Sequence, residues 1–92
     1  MIREEIIDRA LINFGKYVRD TRQKQGMSLQ DLALKTGLSA AFIYRIEVGE
    51  RRASLDTRLV ILLCGFNWNK ELVMNYLGRV VKNVKHSKWV AN

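Results

Sequence analysis

Residues 28–49 read SLQDLALKTGLSAAFIYRIEVG, and this stretch decides how the chain folds. Ser28 and Ser39 each stand just before an apolar pattern with helical spacing. A serine hydroxyl in that position can accept a hydrogen bond from a free amide of the first turn. Gly37 and Gly49 follow the two patterns, and glycine enters the left-handed backbone region without a steric penalty. The sequence therefore predicts two short helices joined by a tight glycine turn.

The sequence on either side of this pair predicts further helices. Apolar residues recur every three or four positions over residues 3–25, while charged residues occupy the other faces, which predicts one extended first helix ending before Gly26. After the pair, Ser54 caps a helix over residues 55–64. The second half of that helix is apolar on all sides, so we expect both of its faces to be covered.

Asn67 is the expected cap of a last helix, which runs to about Lys82 or Lys85. Its apolar residues form two adjacent stripes, one of Leu72, Tyr76 and Val80 and the other of Val73, Leu77 and Val84. The chain has no proline and no sustained alternation of the kind typical of strands. We therefore predict an all-α fold of five helices, with an extended first helix and a C-terminal helix.

The chain carries a formal net charge of +7 over 92 residues, with a sequence pI near 10.0. Its length suits a single compact domain, residues 1–92. The charge favours a polyanionic partner, either nucleic acid or an anionic membrane surface. The longest apolar run, Leu59–Phe66, is far too short to cross a bilayer, and the tail has no clear amphipathic anchor. We therefore expect no membrane association.

Cysteine and histidine usage exclude several classes of protein. Cys64 is the only cysteine and His86 the only histidine, so the chain can form neither a disulfide framework nor a four-ligand zinc site. Glu4 and Glu5 stand where a signal peptide would carry positive charge. No glycine-rich phosphate loop or pair of catalytic carboxylates stands out. We expect a cytoplasmic protein that is not an enzyme and uses no metal or cofactor.

The stretch from Phe14 to Ser54 resembles the phage-repressor or Cro-like helix-turn-helix family, also called the xenobiotic-response-element family. The match in residue type and spacing covers about forty residues, less than half of the chain. The residues that carry it are Phe14-Gly15, Val18-Arg19, Arg22, Gly26-Met27-Ser28, Asp31-Leu32-Ala33, Thr36-Gly37-Leu38-Ser39, Ile43, Ile46-Glu47, Gly49 and Arg51. Many members carry glutamine directly after the capping residue, where this chain has Leu29 followed by Gln30.

The resemblance implies that Arg22 and Glu47 form an ion pair linking an earlier helix to the end of the recognition helix. It also implies that helix 39–48 enters the DNA major groove with its N-terminal end. The outward positions expected to read bases are Ala40, Ala41, Tyr44 and Arg45. Arg45 is the main candidate, because a guanidinium matches guanine O6 and N7, although a phosphate contact is the alternative.

Phosphate contacts are expected on both sides of the recognition helix. The amides of Ser28 and the next residue lie at a helix N-terminus, which attracts anions. The side-chain candidates are Gln30, Ser39, Arg51 and Arg52. The resemblance thus implies a sequence-specific regulator of transcription, expected to be a repressor, that binds double-stranded DNA.

The family core spans about residues 14–66, which leaves residues 67–85 as an expected dimerisation helix and residues 86–92 as a basic tail. A homodimer suits two DNA half-sites related by a twofold axis. A second protein partner is the alternative use of the remaining apolar surface, as in an antitoxin or an accessory protein of a mobile element.

Overall fold

The computed structural model describes residues 3–85, so the predicted basic tail at 86–92 lies outside the described residues. Six helices follow one another: α1 Arg3–Ile12, α2 Phe14–Lys24, α3 Leu29–Thr36, α4 Ala40–Glu47, α5 Leu55–Val60 and α6 Lys70–Lys85. Residues Ile61–Gly65 continue α5 as a π-helical segment. Because residues 3–85 contain no strand, the predicted all-α class is confirmed.

The prediction of one extended first helix is wrong, because the chain breaks at Asn13. This residue is extended, with φ −150° and ψ 93°, and its side-chain oxygen accepts a hydrogen bond from the Lys16 amide at 3.1 Å. Asparagine readily bonds nearby backbone groups in this way, which favours a helix start over a helix interior. The break lets α1 pack against both α2 and α6, with Ile7 and Ala10 buried.

The helix starts and ends predicted for the central pair are confirmed. The Ser28 hydroxyl accepts from the Asp31 amide at 3.0 Å, and the Asp31 carboxylate accepts from the Ser28 amide at 2.9 Å, which completes a capping box. The Ser39 hydroxyl accepts from the Phe42 amide at 3.1 Å. Gly37 ends α3 in the left-handed region, at φ 76°.

The helix predicted over residues 55–64 begins as expected after Ser54 but widens in its second half. There the Phe66 amide donates to the Ile61 carbonyl at 3.0 Å, across five residues. Within one molecule only one face of this helix is covered, so cover of the other face by a second subunit stays a prediction. Ile61 is buried, whereas Leu63 and Cys64 are exposed, because the neighbouring helices cover one face only.

The last helix begins later than predicted. Asn69, rather than Asn67, accepts a hydrogen bond from the Leu72 amide through its side chain, at 2.8 Å. Asn67 has a positive φ of 56° and forms the turn before the helix. α6 then continues to Lys85, one of the two predicted ends.

Residues from α1, α2, α3, α4 and α6, from the π-helical segment and from the turn before α6 contribute to one apolar core. Its buried members are Ile7, Ala10, Val18, Leu32, Ile43, Ile46, Ile61, Leu62, Phe66, Trp68, Leu72, Val73 and Tyr76. An aromatic cluster joins distant segments: the Tyr17 ring meets the rings of Phe66 and Trp68 edge-on at 5.9 and 6.0 Å, and Trp68 meets Tyr76 at 5.9 Å. This cluster holds α2 and α6 on either side of the turn between α5 and α6.

Candidate nucleic-acid interface

The outer face of α4 is the candidate recognition surface. Ile43 and Ile46 are fully or almost fully buried and attach the helix to the core. Ala41, Tyr44 and Arg45 lie on the opposite side and are exposed. Because the hydrophobic side holds the helix down, these three side chains point to solvent from a rigid base.

Two details of this face differ from the sequence analysis. Ala40 is only half-exposed and lies at the margin of the face, so it has less access to a partner than Ala41. Val48, just after α4, is 42% exposed and lies on the same side as Ala41 and Tyr44 by helical spacing. Val48 lies four residues after Tyr44, about one helical turn, so its place on this face could have been predicted from the sequence.

Arg22 joins three segments through its guanidinium. Its Nε donates to Glu47 Oε2 at 2.8 Å, its second terminal nitrogen donates to Glu47 Oε1 at 3.0 Å, and its first donates to the Met27 carbonyl at 2.9 Å. The two side chains are 11% and 2% exposed. The hydrogen bonds to Glu47 raise the pKa of Arg22 above its ordinary value. This bidentate pair holds the end of α4 against α2 and the loop before α3.

Gly15 allows α2 and α4 to approach each other closely. A Cβ atom built at Gly15 would collide with the Ile46 carbonyl oxygen and would lie 3.2 Å from the Glu47 carbonyl oxygen. These are backbone atoms, which cannot move aside as the end of a side chain can. Gly15 is part of the family pattern in the sequence, but only the tertiary structure shows what lies beside it and why it must be small.

The loop after α4 folds back over the end of the helix. The Arg45 carbonyl accepts hydrogen bonds from the amides of Glu50 and Arg51, at 2.9 and 3.2 Å. The Arg51 guanidinium lies over the Phe42 ring, 5.6 Å from its centroid. This cation–π contact keeps one basic side chain beside α4, and Phe42 is a positioning residue that the sequence analysis missed. Arg52 follows it and is exposed.

Some of the groups predicted to contact phosphate at the helix starts already take part in helix capping. The Ser28 amide donates to Asp31, so a phosphate contact through that amide would compete with the capping box. Hydroxyls both accept and donate, so the Ser39 hydroxyl that accepts from α4 still carries a proton to donate, whereas the Ser28 hydroxyl also bonds the Asp31 carboxylate. Gln30 is exposed in the first turn of α3.

Several acidic side chains are held in ion pairs or capping bonds. Glu47 and Asp8 accept from arginines, and Asp20 accepts from a lysine, each at 2.8 to 3.0 Å. Hydrogen bonds from the Ser28 amide and hydroxyl lower the pKa of Asp31, so this carboxylate stays ionised at the start of α3. Between Ala40 and Ser54 the exposed charged residues are Arg45, Arg51 and Arg52, with Glu50 as the one exposed acid.

The described part of the chain holds neither a metal-type cluster nor a membrane-spanning helix. Residues 3–85 contain no cluster of histidine, cysteine, aspartate or glutamate that could hold a metal ion. Across the same residues, every helix is too short or too polar to span a membrane.

Comparison with known proteins places this geometry in a family. A helix-turn-helix family model matches residues 18–61, just under half of the chain. No curated protein and no solved structure matches the chain. The matched segment runs from the middle of α2 to the start of the π-helical segment and includes all of α3 and α4. Residues 18–61 therefore match the phage-repressor and Cro type of helix-turn-helix family, which is a family of DNA-binding domains.

Proposed function

We propose that this protein is a sequence-specific transcriptional regulator that represses by occupying double-stranded DNA. The observation that carries the proposal is the outer face of α4, where Tyr44 and Arg45 are exposed while Ile43 and Ile46 fasten the helix to the core. A short helix presented in this way fits the major groove, which is wide enough to admit it.

Arg45 is the proposed base reader. It is exposed in the last turn of α4, and a guanidinium can donate two parallel hydrogen bonds to guanine O6 and N7. Tyr44 can bond a phosphate or a base edge through its hydroxyl. Ala41, and Ala40 at the margin, offer only apolar contact, for example to a thymine methyl group. With few polar readers, part of the selectivity would come from DNA shape.

The phosphate contacts would come from both ends of the recognition unit. Arg51, held over Phe42, and the adjacent exposed Arg52 supply the charge on one side. Gln30 and the hydroxyls of Ser28 and Ser39 supply hydrogen bonds at the starts of α3 and α4. These contacts would orient α4 without reading sequence.

The protein would act in the cytoplasm as a homodimer, because two half-sites about one DNA turn apart require a twofold protein. Repression follows from steric competition: a dimer bound across a promoter excludes other proteins from it. A reporter gene placed behind a selected site should lose expression when the protein is produced, and a rise in expression would indicate an activator.

Selection of binding sites from random duplexes tests the proposal directly. The wild-type protein should enrich one motif. Arg45→Ala should cost about 1–3 kcal/mol on that motif and relax the preference at one base pair. Arg79→Ala is the matched control, because Arg79 lies on α6 and pairs with Asp8. Equal losses on selected and random DNA would reassign Arg45 to a phosphate, and no enriched motif would refute the proposed function.

The salt dependence of binding tests the loop after α4. Removing two phosphate contacts with Arg51→Ala and Arg52→Ala should weaken binding to all duplexes. It should also lower the slope of log K against log salt by about 0.9 per contact, or roughly 2 in all. An unchanged slope would remove both residues from the interface.

A second candidate function is binding of another protein, as in an antitoxin. A groove of about 780 Å³ between α1, α2 and the turn before α6 favours it, with Tyr17 and Trp68 in its lining. Ile12 borders this groove and is 84% exposed, which is unusual for a large apolar side chain. An antitoxin should co-purify with a partner encoded by a neighbouring gene, and Ile12→Asp should release that partner without changing DNA binding.

A further inference from the structure

A pocket of about 320 Å³ lies behind α4, on the side away from its outer face. Residues 10–15, where α1 ends and α2 begins, line one part of it, and Gly49 with residues 51–53 lines another. Ile46, which faces the core, also lines the pocket, whereas the outward residues of α4 do not. A duplex that contacts the outer face of α4 would therefore not fill this pocket.

Arg51, Arg52 and Arg58 line the pocket, which is therefore an arginine pocket. Its lining contains no aspartate or glutamate among residues 3–85, and none of the three arginines forms an ion pair within that part of the chain. Positive charges that share a small concave surface focus their field into it, because the protein around them has a low dielectric constant. The arginine pocket therefore favours a small anion.

Arg58 is the most buried of the three arginines, and its charge is not compensated. Its Nη1 donates to the Tyr76 hydroxyl at 2.9 Å, and its guanidinium lies 6.0 Å from the centroid of the Tyr76 ring. Its Nε is buried and has no hydrogen-bond partner within residues 3–85. A charge away from water is costly unless an opposite charge lies beside it. Arg22 has such a partner in Glu47, whereas Arg58 has only a neutral tyrosine.

Other groups in the arginine pocket suit a phosphate ester. Arg51 contacts the Phe42 ring, and a cation–π contact leaves the N–H groups of a guanidinium available as donors. Asn13 accepts a hydrogen bond from the Lys16 amide through its side-chain oxygen, so its NH2 group can still donate. Guanidinium groups match phosphate oxygens, and the pocket volume is at the lower end of the range for small-molecule sites. The pocket thus has room for a phosphate and a small organic group attached to it.

We propose that the arginine pocket binds a small phosphate monoester, and that this anion is an effector that weakens DNA binding. Arg58 neutralises the phosphate from the inner side of the pocket, and Arg51 and Arg52 bind it from the loop after α4. Those two loop side chains are also the proposed contacts to DNA phosphates, so an anion that holds them leaves fewer contacts for the duplex. The effect on DNA rests on the proposed function, whereas the anion site does not.

The first test is binding of the anion in the absence of DNA. Glycerol 3-phosphate is the probe, and glycerol with sodium chloride at the same ionic strength is the control. At about ten times its Kd, measured by calorimetric titration, the probe should raise the melting temperature of the wild type by roughly 5–10 °C. The control should leave it unchanged. No heat of binding and no shift at millimolar concentrations would overturn the proposal.

The second test locates the anion with variants. Arg58→Met removes the uncompensated charge, so it should melt above the wild type without the probe and should not respond to the probe. Arg52→Gln changes an exposed residue that is not needed for folding, and it should weaken binding of the probe about tenfold. Arg19→Met is the matched control, because Arg19 is exposed on α2 outside the pocket. If Arg58→Met does not fold, Arg52→Gln decides, and an unchanged response there or a lost response in Arg19→Met would overturn the site.

A duplex-binding assay separates this inference from the proposed function. If both hold, glycerol 3-phosphate should lower the affinity of the wild type for its selected duplex about tenfold relative to the salt control, and this loss should disappear in Arg58→Met. A protein that binds the probe but prefers no duplex would refute the function and keep the site. Specific DNA binding without any response to the probe would refute the effector and keep the function.

The same assay distinguishes a free anion from the DNA backbone as the source of the phosphate. If the probe has no effect while Arg58→Met loses affinity for every duplex, the arginine pocket binds a backbone phosphate, and the proposal of a free effector is overturned. A response to the probe in melts without DNA, lost in Arg58→Met, supports the free anion.

Discussion

The central part of the molecule, residues 28–54, and the frame formed by α1, α2 and α6 are held by different kinds of interaction. Within residues 28–54, each helix start is fixed by a serine hydroxyl that bonds an amide three residues later. In the frame of α1, α2 and α6, asparagine caps start α2 and α6, but other side-chain bonds join distant positions: Trp68 bonds Tyr17 across 51 residues, and Arg79 bonds Asp8 across 71. Bonds between neighbouring residues thus fix the helix starts of the central part, whereas contacts between distant segments fix the arrangement of α1, α2 and α6.

The junction between the two regions should be the most sensitive point. Arg22→Ala leaves the Glu47 carboxylate, only 2% exposed, without its guanidinium partner, so we expect a loss of about 3–5 kcal/mol in the free energy of unfolding. Urea denaturation measures it. Lys16→Ala is the control, because its ion pair with Asp20 is exposed and should contribute about 0–1 kcal/mol. Similar losses for both variants would mean that the buried Arg22–Glu47 pair contributes no more than the exposed Lys16–Asp20 pair.

Gly15→Ala sharpens the comparison at the same junction. The added methyl group would collide with the Ile46 carbonyl, so α2 and α4 must separate, at a cost of about 1–3 kcal/mol. Gly78→Ala, studied at a dilution that favours monomers, is the matched helical control with open space, and it should stabilise by roughly 0.5–1 kcal/mol. Thermal melts of the two variants measure both changes in stability. A stabilised Gly15→Ala variant would contradict the close approach of α2 and α4.

Tyr17→Phe tests the frame. It removes the acceptor of the Trp68 indole hydrogen bond, so we expect a loss of about 1 kcal/mol. Burial raises the pKa of Tyr17 above 10.0, so its contribution to stability is complete below pH 10 and declines as the pH rises through the raised value. In thermal melts at increasingly alkaline pH, the melting temperature of the wild type should therefore fall more than that of Tyr17→Phe. Parallel curves would show that this hydroxyl is not buried.

The smallest effect is expected in the central unit, at its exposed capping box. The pKa of Asp31 is lowered by its hydrogen bonds from Ser28, so its contribution is present above the ordinary value of 3.8. That contribution disappears as the pH falls through the lowered value. Wild-type stability should fall more steeply below pH 4 than that of Asp31→Asn. Identical acid melts would indicate that the box adds nothing to α3.

Helix ends that depend on neighbouring residues could be predicted from the sequence, whereas those that depend on tertiary packing could not. Ser28, Ser39 and Gly37 act over a few residues, so their roles in starting and ending helices could be predicted. Asn13 has the same capping chemistry but stands inside a continuous apolar pattern, and only the packing of α1 against α6 decides that the helix breaks there. Asn67 and Asn69 are equally good caps by type, and the turn geometry selects Asn69.

By itself, the sequence determined the all-helical class, the two central helices and the type of side chain on their outer face, because caps and helical period act at short range. Only the tertiary structure decided that Gly15 must lack a side chain, that Phe42 holds Arg51, and which apolar side of α6 stays exposed. Those properties depend on what lies across a packed interface, and the spacing of residues along one helix does not contain that information.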